Sequence, residues 1–119
     1  MKTVLWISRH EMTAAQRQDL DRALGSPVLL RPWRDTVRDL TALKPEIDRA
    51  DVIAAVLPPE LLAELLALAA GKPVLRAVSS REPTGKLRLS PAGTPEPEFA
   101  FVHLFWEQIL RIEIRTRRL

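Results

Sequence analysis

The chain contains no cysteine, which removes disulfide staples, thiolate nucleophiles and cysteine-ligated zinc from consideration. It has two histidines, His10 and His103, too few to hold a metal unless several carboxylates join them. Glycine is scarce at four residues, and none builds the GxGxxG turn that seats a dinucleotide after a first strand. The stretch PTGKL, Pro83 to Leu87, lacks the first glycine of a GxxxxGK(S/T) phosphate loop and carries Leu87 where serine or threonine belongs. No apolar run approaches the ~20 residues that span a bilayer, and the N-terminus enters a strand pattern at once, without the basic and apolar regions of a signal peptide. No cofactor, no metal and no membrane contact are therefore expected, and the cytoplasm is the expected location.

What is present describes an ordinary globular chain. At 119 residues, with 46% hydrophobic and 28% charged side chains, one domain with its own core is expected. The net charge is +3, and it is unevenly placed. Residues 109–119, ILRIEIRTRRL, set Arg111, Arg115, Arg117 and Arg118 against Glu113 alone, so this tail carries the excess and offers a contact for a polyanion. Arginine supplies 14 of the 18 basic residues. That favours bidentate phosphate contacts, although an Ala-, Leu-, Pro- and Arg-rich chain also fits biased base composition.

The chain alternates strand and helix patterns. KTVLWIS, residues 2–8, is β-rich and nearly all apolar, as in a strand covered on both faces. Thr13 and Gln16 form a capping box for a helix running to about Leu24, which Gly25 ends. PVLLRPW (27–33) reads as a second strand. From Asp35 a helical pattern follows through Val37, Leu40 and Ile47, with Pro45 kinking it or starting a second piece. ADVIAAVLP (50–58) is a third strand, PPELLAELLALAAGKP (58–73) a helix with proline at its start and glycine at its end, and KPVLRAVSS (72–80) a fourth strand. Residues 81–97 hold four of the ten prolines and two of the glycines and read as a long loop. Over residues 98–119, Phe99, Phe101, His103 and Phe105 alternate with Ala100, Val102, Leu104 and Trp106, and Leu110, Ile112 and Ile114 alternate with Arg111, Glu113 and Arg115; this reads as an antiparallel hairpin turning near Trp106 and Glu107, with a helix at Phe105 to Ile112 as the alternative. The expected fold is a single α/β domain over 1–119. It is a Rossmann-like three-layer sandwich with a mostly parallel sheet (strand–helix repeats over 1–80), followed by the 81–97 loop and an appended C-terminal hairpin.

In open α/β sheets ligands bind beyond the carboxyl ends of the strands. That rule selects Ser8, Arg9, His10 and Glu11 after the first strand and Arg31, Trp33 and Arg34 after the second. After the third it selects Pro58, Pro59 and Glu60, and after the fourth Ser79, Ser80 and Arg81. An edge with arginines, helix N-termini and hydroxyls suits phosphate. Lys86 and Arg81 lie on a segment able to close over such a ligand, or on a plain turn. His10 can move a proton near neutral pH, and as a surface turn residue it needs no such role. Only Glu11 and Glu60 are placed for metal ligation at this edge, so an enzyme here is expected to work without metal.

The stretch VLWISRHEMTAAQ, Val4 to Gln16, resembles the start of small CRISPR-associated proteins of the CARF-like Rossmann group, several of which are proposed ring nucleases. Ser8, His10, Met12, Thr13 and Gln16 match that pattern, and Glu11 stands where the family typically has proline. The terminal segment also resembles small uncharacterised bacterial and mobile-element proteins. The CARF-like resemblance implies a cyclic oligoadenylate ligand lying across the strand ends of a homodimer. It also implies a metal-independent phosphodiesterase in which Ser8 and His10 are catalytic while Arg9, Ser79, Ser80, Arg81 and Lys86 bind ligand and phosphate. Two alternatives come from other classes. One is a nucleic-acid-binding module using the basic C-terminus; the other is an interaction protein whose terminal hairpin pairs with a copy of itself or with a partner's strand.

Overall fold

A computed structural model describes all 119 residues. Strand β1 (Lys2–Ile7) leads to helix α1 (Ala14–Leu24), and β2 (Val28–Trp33) to a short 3₁₀ turn at Leu40–Leu43 that runs into α2 (Lys44–Arg49). Then come β3 (Val52–Ala55), α3 (Pro59–Ala69) and two long strands, β4 (Val74–Leu89) and β5 (Pro95–Gln108). The five strands form one sheet in the order β2-β1-β3-β4-β5. The first three neighbour pairs are parallel and β4 with β5 is antiparallel. The protein is thus α/β with a mostly parallel sheet and a terminal antiparallel pair. No helix is long and apolar enough to cross a membrane.

Local chemistry explains the helix ends. The Thr13 Oγ1 accepts the Gln16 N–H at 3.1 Å and the Gln16 Oε1 accepts the Thr13 N–H at 2.9 Å, which satisfies amide donors that the first turn leaves free. Gly25 closes α1 at φ 68°, a left-handed conformation that costs residues with a Cβ about 1–2 kcal/mol. Pro45 sits in the first turn of α2, where its missing N–H breaks no helical bond. It therefore starts this helix instead of kinking it. Val37, expected on the same helix, lies before it in the connecting loop.

Alternation along the strands sorts their side chains onto the two sheet faces. Leu5, Ile7, Ile53, Ala55 and Val74 join Leu40, Leu43, Ile47, Leu62, Leu65 and Ala69 in the larger buried cluster. Val4, Trp6, Val52, Ala54 and Leu75 join Leu20 in the other. The helix that follows β1 therefore lies on one face, and those that follow β2 and β3 lie on the opposite face.

The C-terminal third corrects the expectation. Residues 81–97 are not a loop: most belong to strands, and the turn lies at Ser90–Thr94, where Ser90 N–H donates to Thr94 O at 2.9 Å and Gly93 N–H to Ser90 O at 2.8 Å. Trp106 and Glu107, expected at a turn, lie within the last residues of β5, opposite Ala77 and Arg76. Residues 109–119 form neither the second arm of a hairpin nor a helix. They leave the sheet after Ile109, whose N–H donates to Val74 O at 2.8 Å, and Ile109 and Ile112 pack against the larger cluster. Proline is tolerated in these strands because their ladders are open. The β3 pairing stops at Leu75, β5 is the sheet edge, and Pro83 adjoins an irregularity in register.

Candidate functional site

The chain passes from β1 outward to β2 and then back across β1 to β3. The connections leaving β1 and β3 at their carboxyl ends turn to opposite faces, and a crevice opens between them. It is a cavity of about 230 Å³ lined by Ile7, Ser8 and Arg9 after β1, Asp35, Thr36 and Val37 after β2, and Val56, Leu57, Pro58 and Leu61 around the start of α3.

Its floor is a tightly held turn. Ser8, 7% exposed, is the one polar residue among the buried set, and its N–H donates to Trp33 O at 3.1 Å. Its Oγ accepts the His10 N–H at 3.1 Å, the local turn serine favours. The Trp6 Nε1 donates to His10 O at 2.9 Å. Both backbone groups of His10 are thereby fixed, while its imidazole is exposed, makes no hydrogen bond and does not line the cavity. Ser8 is a turn former by geometry, with its oxygen turned to a backbone amide.

Arginine placement is selective. Arg31 pairs with Glu46 and Arg34 with Glu11, each at 3.0 Å. Arg9 has no carboxylate partner; its Nη2 donates to Thr36 Oγ1 at 2.8 Å, tying the loop after β1 to the loop after β2 at the cavity rim. Across the cavity, α3 begins with Pro58 as an N-cap that makes no side-chain hydrogen bond, so the positive end of the helix faces this rim uncapped. Asp35 supplies the one lining carboxylate.

Ser79, Ser80, Arg81 and Lys86 do not join this edge. They lie along β4 where it runs out from the sheet, and none lines the cavity at Ser8. Ser79 stands opposite His103, the Ser80 Oγ donates to Glu82 at 3.1 Å, and the Lys86 N–H donates to Thr84 Oγ1 at 3.2 Å. The Arg81 guanidinium lies 3.9 Å from the centroid of the Phe99 ring, a cation–π arrangement. His10 and Arg81 therefore share no cavity. The sequence reading missed Asp35 and Thr36, although they directly follow the selected Arg34; the available signal was their position just past the carboxyl end of β2.

A second polar constellation docks β5 on α1. The His103 Nε2 lies 2.8 Å from Asp19 Oδ2, Arg22 is 2.7 Å from the same carboxylate, and the Trp106 Nε1 donates to Gln16 O at 2.8 Å. The hydrogen bonds from His103 and Arg22 hold the Asp19 carboxyl below its ordinary range. A carboxyl whose folded-state pKa is lowered contributes stability that is complete above its unfolded pKa, about 3.9, and is lost as pH falls through the folded value. The stability advantage of the native chain over Asp19→Asn is accordingly expected to shrink as pH falls below about 4. Urea titrations across that range measure it.

No three His, Asp or Glu side chains converge as a metal-binding group. In the tail, Arg111 and Arg115 share Glu113 at 3.1 and 2.5 Å, whereas Arg117 and Arg118 form no ion pair. Compared with protein-family models, curated proteins and solved structures, the chain matches none.

Proposed function

We propose that this protein is a nucleotide-binding domain on a Rossmann-like three-layer scaffold, taking a ligand phosphate at Arg9 and the start of α3. The observation that carries the reading is Arg9: it is the one arginine that lines the switch-point cavity, it has no carboxylate partner, and Thr36 holds it at the mouth. A phosphate oxygen there meets the guanidinium and the N–H groups of Glu60 and Leu61, the first that α3 offers after Pro58 and Pro59. Asp35, beside β2, is placed to accept hydrogen bonds from ribose hydroxyls, the role acidic residues take near that strand in nucleotide folds. A space of about 230 Å³ suits a ribose phosphate with the base left outside.

The resemblance at Val4 to Gln16 supports cyclic oligoadenylate as the ligand. The free imidazole on a fixed backbone at His10 supports cleavage of that ligand. In this step a ribose 2′-oxygen bonds to the adjacent phosphorus, the bond to the 5′-oxygen breaks, His10 takes the 2′-hydroxyl proton and the leaving oxygen takes a proton from water. The products are a 2′,3′-cyclic phosphate and a 5′-hydroxyl.

Calorimetric titration with cyclic tetra-adenylate, cyclic hexa-adenylate and AMP tests binding. Arg9→Ala is expected to weaken the bound species by about tenfold to a hundredfold, the worth of a charge-assisted hydrogen bond. Equal affinity in Arg9→Ala overturns the binding site. Cyclic ligand that binds but stays intact after incubation with excess protein leaves binding standing and removes the nuclease. Cleavage lost in His10→Ala with binding retained supports it.

A further inference from the structure

Strand β3 reaches β4 only at Val74 and Leu75. Beyond that level β4 and β5 continue together to Leu89 and from Pro95 as a two-stranded arm with no third strand. Its contacts with α1 run in step, Trp106 with Gln16 and His103 with Asp19, and α1 ends at Leu24, so Phe101 and Phe99 stand past the helix. Phe101 is 76% exposed and Phe99 40%. Such ribbons are at best marginal alone in water, and this one holds two aromatic rings open to it.

Alternation sorts the arm into two unlike faces. Phe101 and Phe99 lie opposite Arg81 and Pro83, and residues directly opposite each other share a face. The Arg81 guanidinium rests on the Phe99 ring, 3.9 Å from its centroid. Around them is a cavity of about 320 Å³ lined by Arg81, Arg88, Glu96, Pro97, Phe99 and Phe101. Glu82 and Glu98 directly follow Arg81 and precede Phe99, so they fall on the other face, and neither lines this cavity. Glu82 accepts the Ser80 hydroxyl there. Within the lining Arg88 pairs with Glu96 at 3.5 Å. The one unpaired charge of the cavity is therefore the Arg81 cation.

The occupant that suits this face brings an anion and flat apolar groups together. Free phosphate leaves the rings bare, and an apolar segment leaves the guanidinium without a partner. A single strand of nucleic acid presents both at every repeat: each base has a π-face that stacks on an aromatic ring whatever the sequence, and each phosphate fits the fork of an arginine. Phe99 and Phe101 stand two residues apart, about 6.8 Å along a strand, which is twice the ~3.4 Å step of a stacked nucleotide strand. A duplex keeps its base faces inside the stack and gains nothing from the rings.

We propose that the face of the arm bearing Phe99, Phe101 and Arg81 binds single-stranded nucleic acid without reading its sequence. One base stacks on Phe101, and the Arg81 guanidinium, seated on Phe99, takes the neighbouring phosphate. This is independent of the nucleotide reading, because no arm residue lines the cavity at Ser8.

Fluorescence anisotropy of the full chain with a labelled mixed-sequence single strand of about twelve nucleotides, as RNA and as DNA, and with the DNA strand made duplex, tests it. The single strands are expected to bind, and the duplex at least tenfold more weakly. Phe101→Ala is expected to weaken binding by about fivefold to a hundredfold, the worth of one stacked base, with far-UV circular dichroism unchanged, since Phe101 belongs to neither buried cluster. Phe101→Trp is expected to retain it. Arg81→Gln is expected to flatten the slope of log affinity against log salt by about 0.7, one phosphate contact on a single strand. Phe105→Ala, on the opposite face, and Arg9→Ala are expected to stay within twofold of the native chain. No binding at 100 µM protein in 50 mM salt, equal affinity for the duplex, indifference to Phe101→Ala, or a loss confined to replacement of Arg117 and Arg118 in the tail each overturns the proposal. Phe101-dependent binding to anionic vesicles without binding to the oligonucleotides overturns it as well and makes the face a membrane contact.

Discussion

Trp6→Ala is expected to cost about 3–5 kcal/mol of folding stability, the range for removing a large aromatic side chain from a core, and to loosen the turn at Ser8 to His10. Trp6 is 3% exposed in the smaller buried cluster, among Val4, Leu20, Val52 and Ala54. Its ring meets Trp106 edge-on at a centroid distance of 5.9 Å, a geometry worth about 0.5–1.5 kcal/mol beyond burial. Its Nε1 holds His10 O. Three effects therefore fall on one residue: lost burial, a lost aromatic pair between β1 and β5, and a freed carbonyl at the candidate site. Trp6→Phe separates them. Phenylalanine retains most of the burial but has no N–H, so its extra effect is the bond to His10, about 1 kcal/mol. Urea denaturation of both variants gives the stabilities. Amide hydrogen exchange at His10, whose N–H is bonded to Ser8 Oγ, reports the turn. A stability loss below 1 kcal/mol for Trp6→Ala would show that this tryptophan does not organise the core.

The part of the fold that follows from burial was legible in the sequence. An apolar KTVLWI is what a strand paired on both edges and covered on both faces must be, and β1 is such a strand, between β2 and β3. Thr13, Gln16 and Gly25 act over a few residues of chain, so their capping roles needed no tertiary knowledge. The arm was not legible for the opposite reason. Pro83, Pro91, Pro95 and Pro97 are breakers in a closed ladder, and whether β4 and β5 have open edges is decided by where β3 stops, far away in sequence. The offset opposite Val78 and Ser79 also puts His103 and Phe105 on different faces, so simple alternation from Phe99 to Trp106 does not describe the strand.

The candidate site divides along the same line. Ser8 and Arg9 follow a strand that ends at the sheet edge, and the rule of carboxyl ends locates them. Ser79, Ser80 and Arg81 were assigned to that edge on the premise that the fourth strand ends near Ser80. It continues through Leu89 and takes them out along the arm. The pairing of Arg31 with Glu46 and Arg34 with Glu11 is a product of packing between separate segments, and it leaves Arg9 as the free cation of the expected arginine cluster.

Leu65→Ala is expected to destabilise the protein by about 2–5 kcal/mol, because the cavity it leaves lies where the surroundings have little freedom to collapse. Leu65 is fully buried on α3, in the cluster that also holds Leu5, Ile7 and Ile53 from the sheet, Leu43 from the 3₁₀ turn and Ile47 from α2. Residues of three segments share this cluster with Leu65, and a total stability of about 5–15 kcal/mol makes the loss a large share. Leu66, partly buried beside the same cluster, is expected to cost less than half as much when truncated, and Glu64→Ala, on the exposed face, less than about 0.5 kcal/mol. Leu65 does not line the cavity at Ser8, whereas Leu61, one turn earlier on α3, does. Under conditions where Leu65→Ala remains folded, its affinity for the proposed nucleotide ligand is therefore expected to stay within about twofold of that of the native chain, whereas Leu61→Ala loses affinity with a smaller stability cost. The opposite ranking, with Leu65→Ala reducing binding and Leu61→Ala leaving it intact, would mean that ligand contacts α3 deeper along its length than the crevice between β1 and β3 allows.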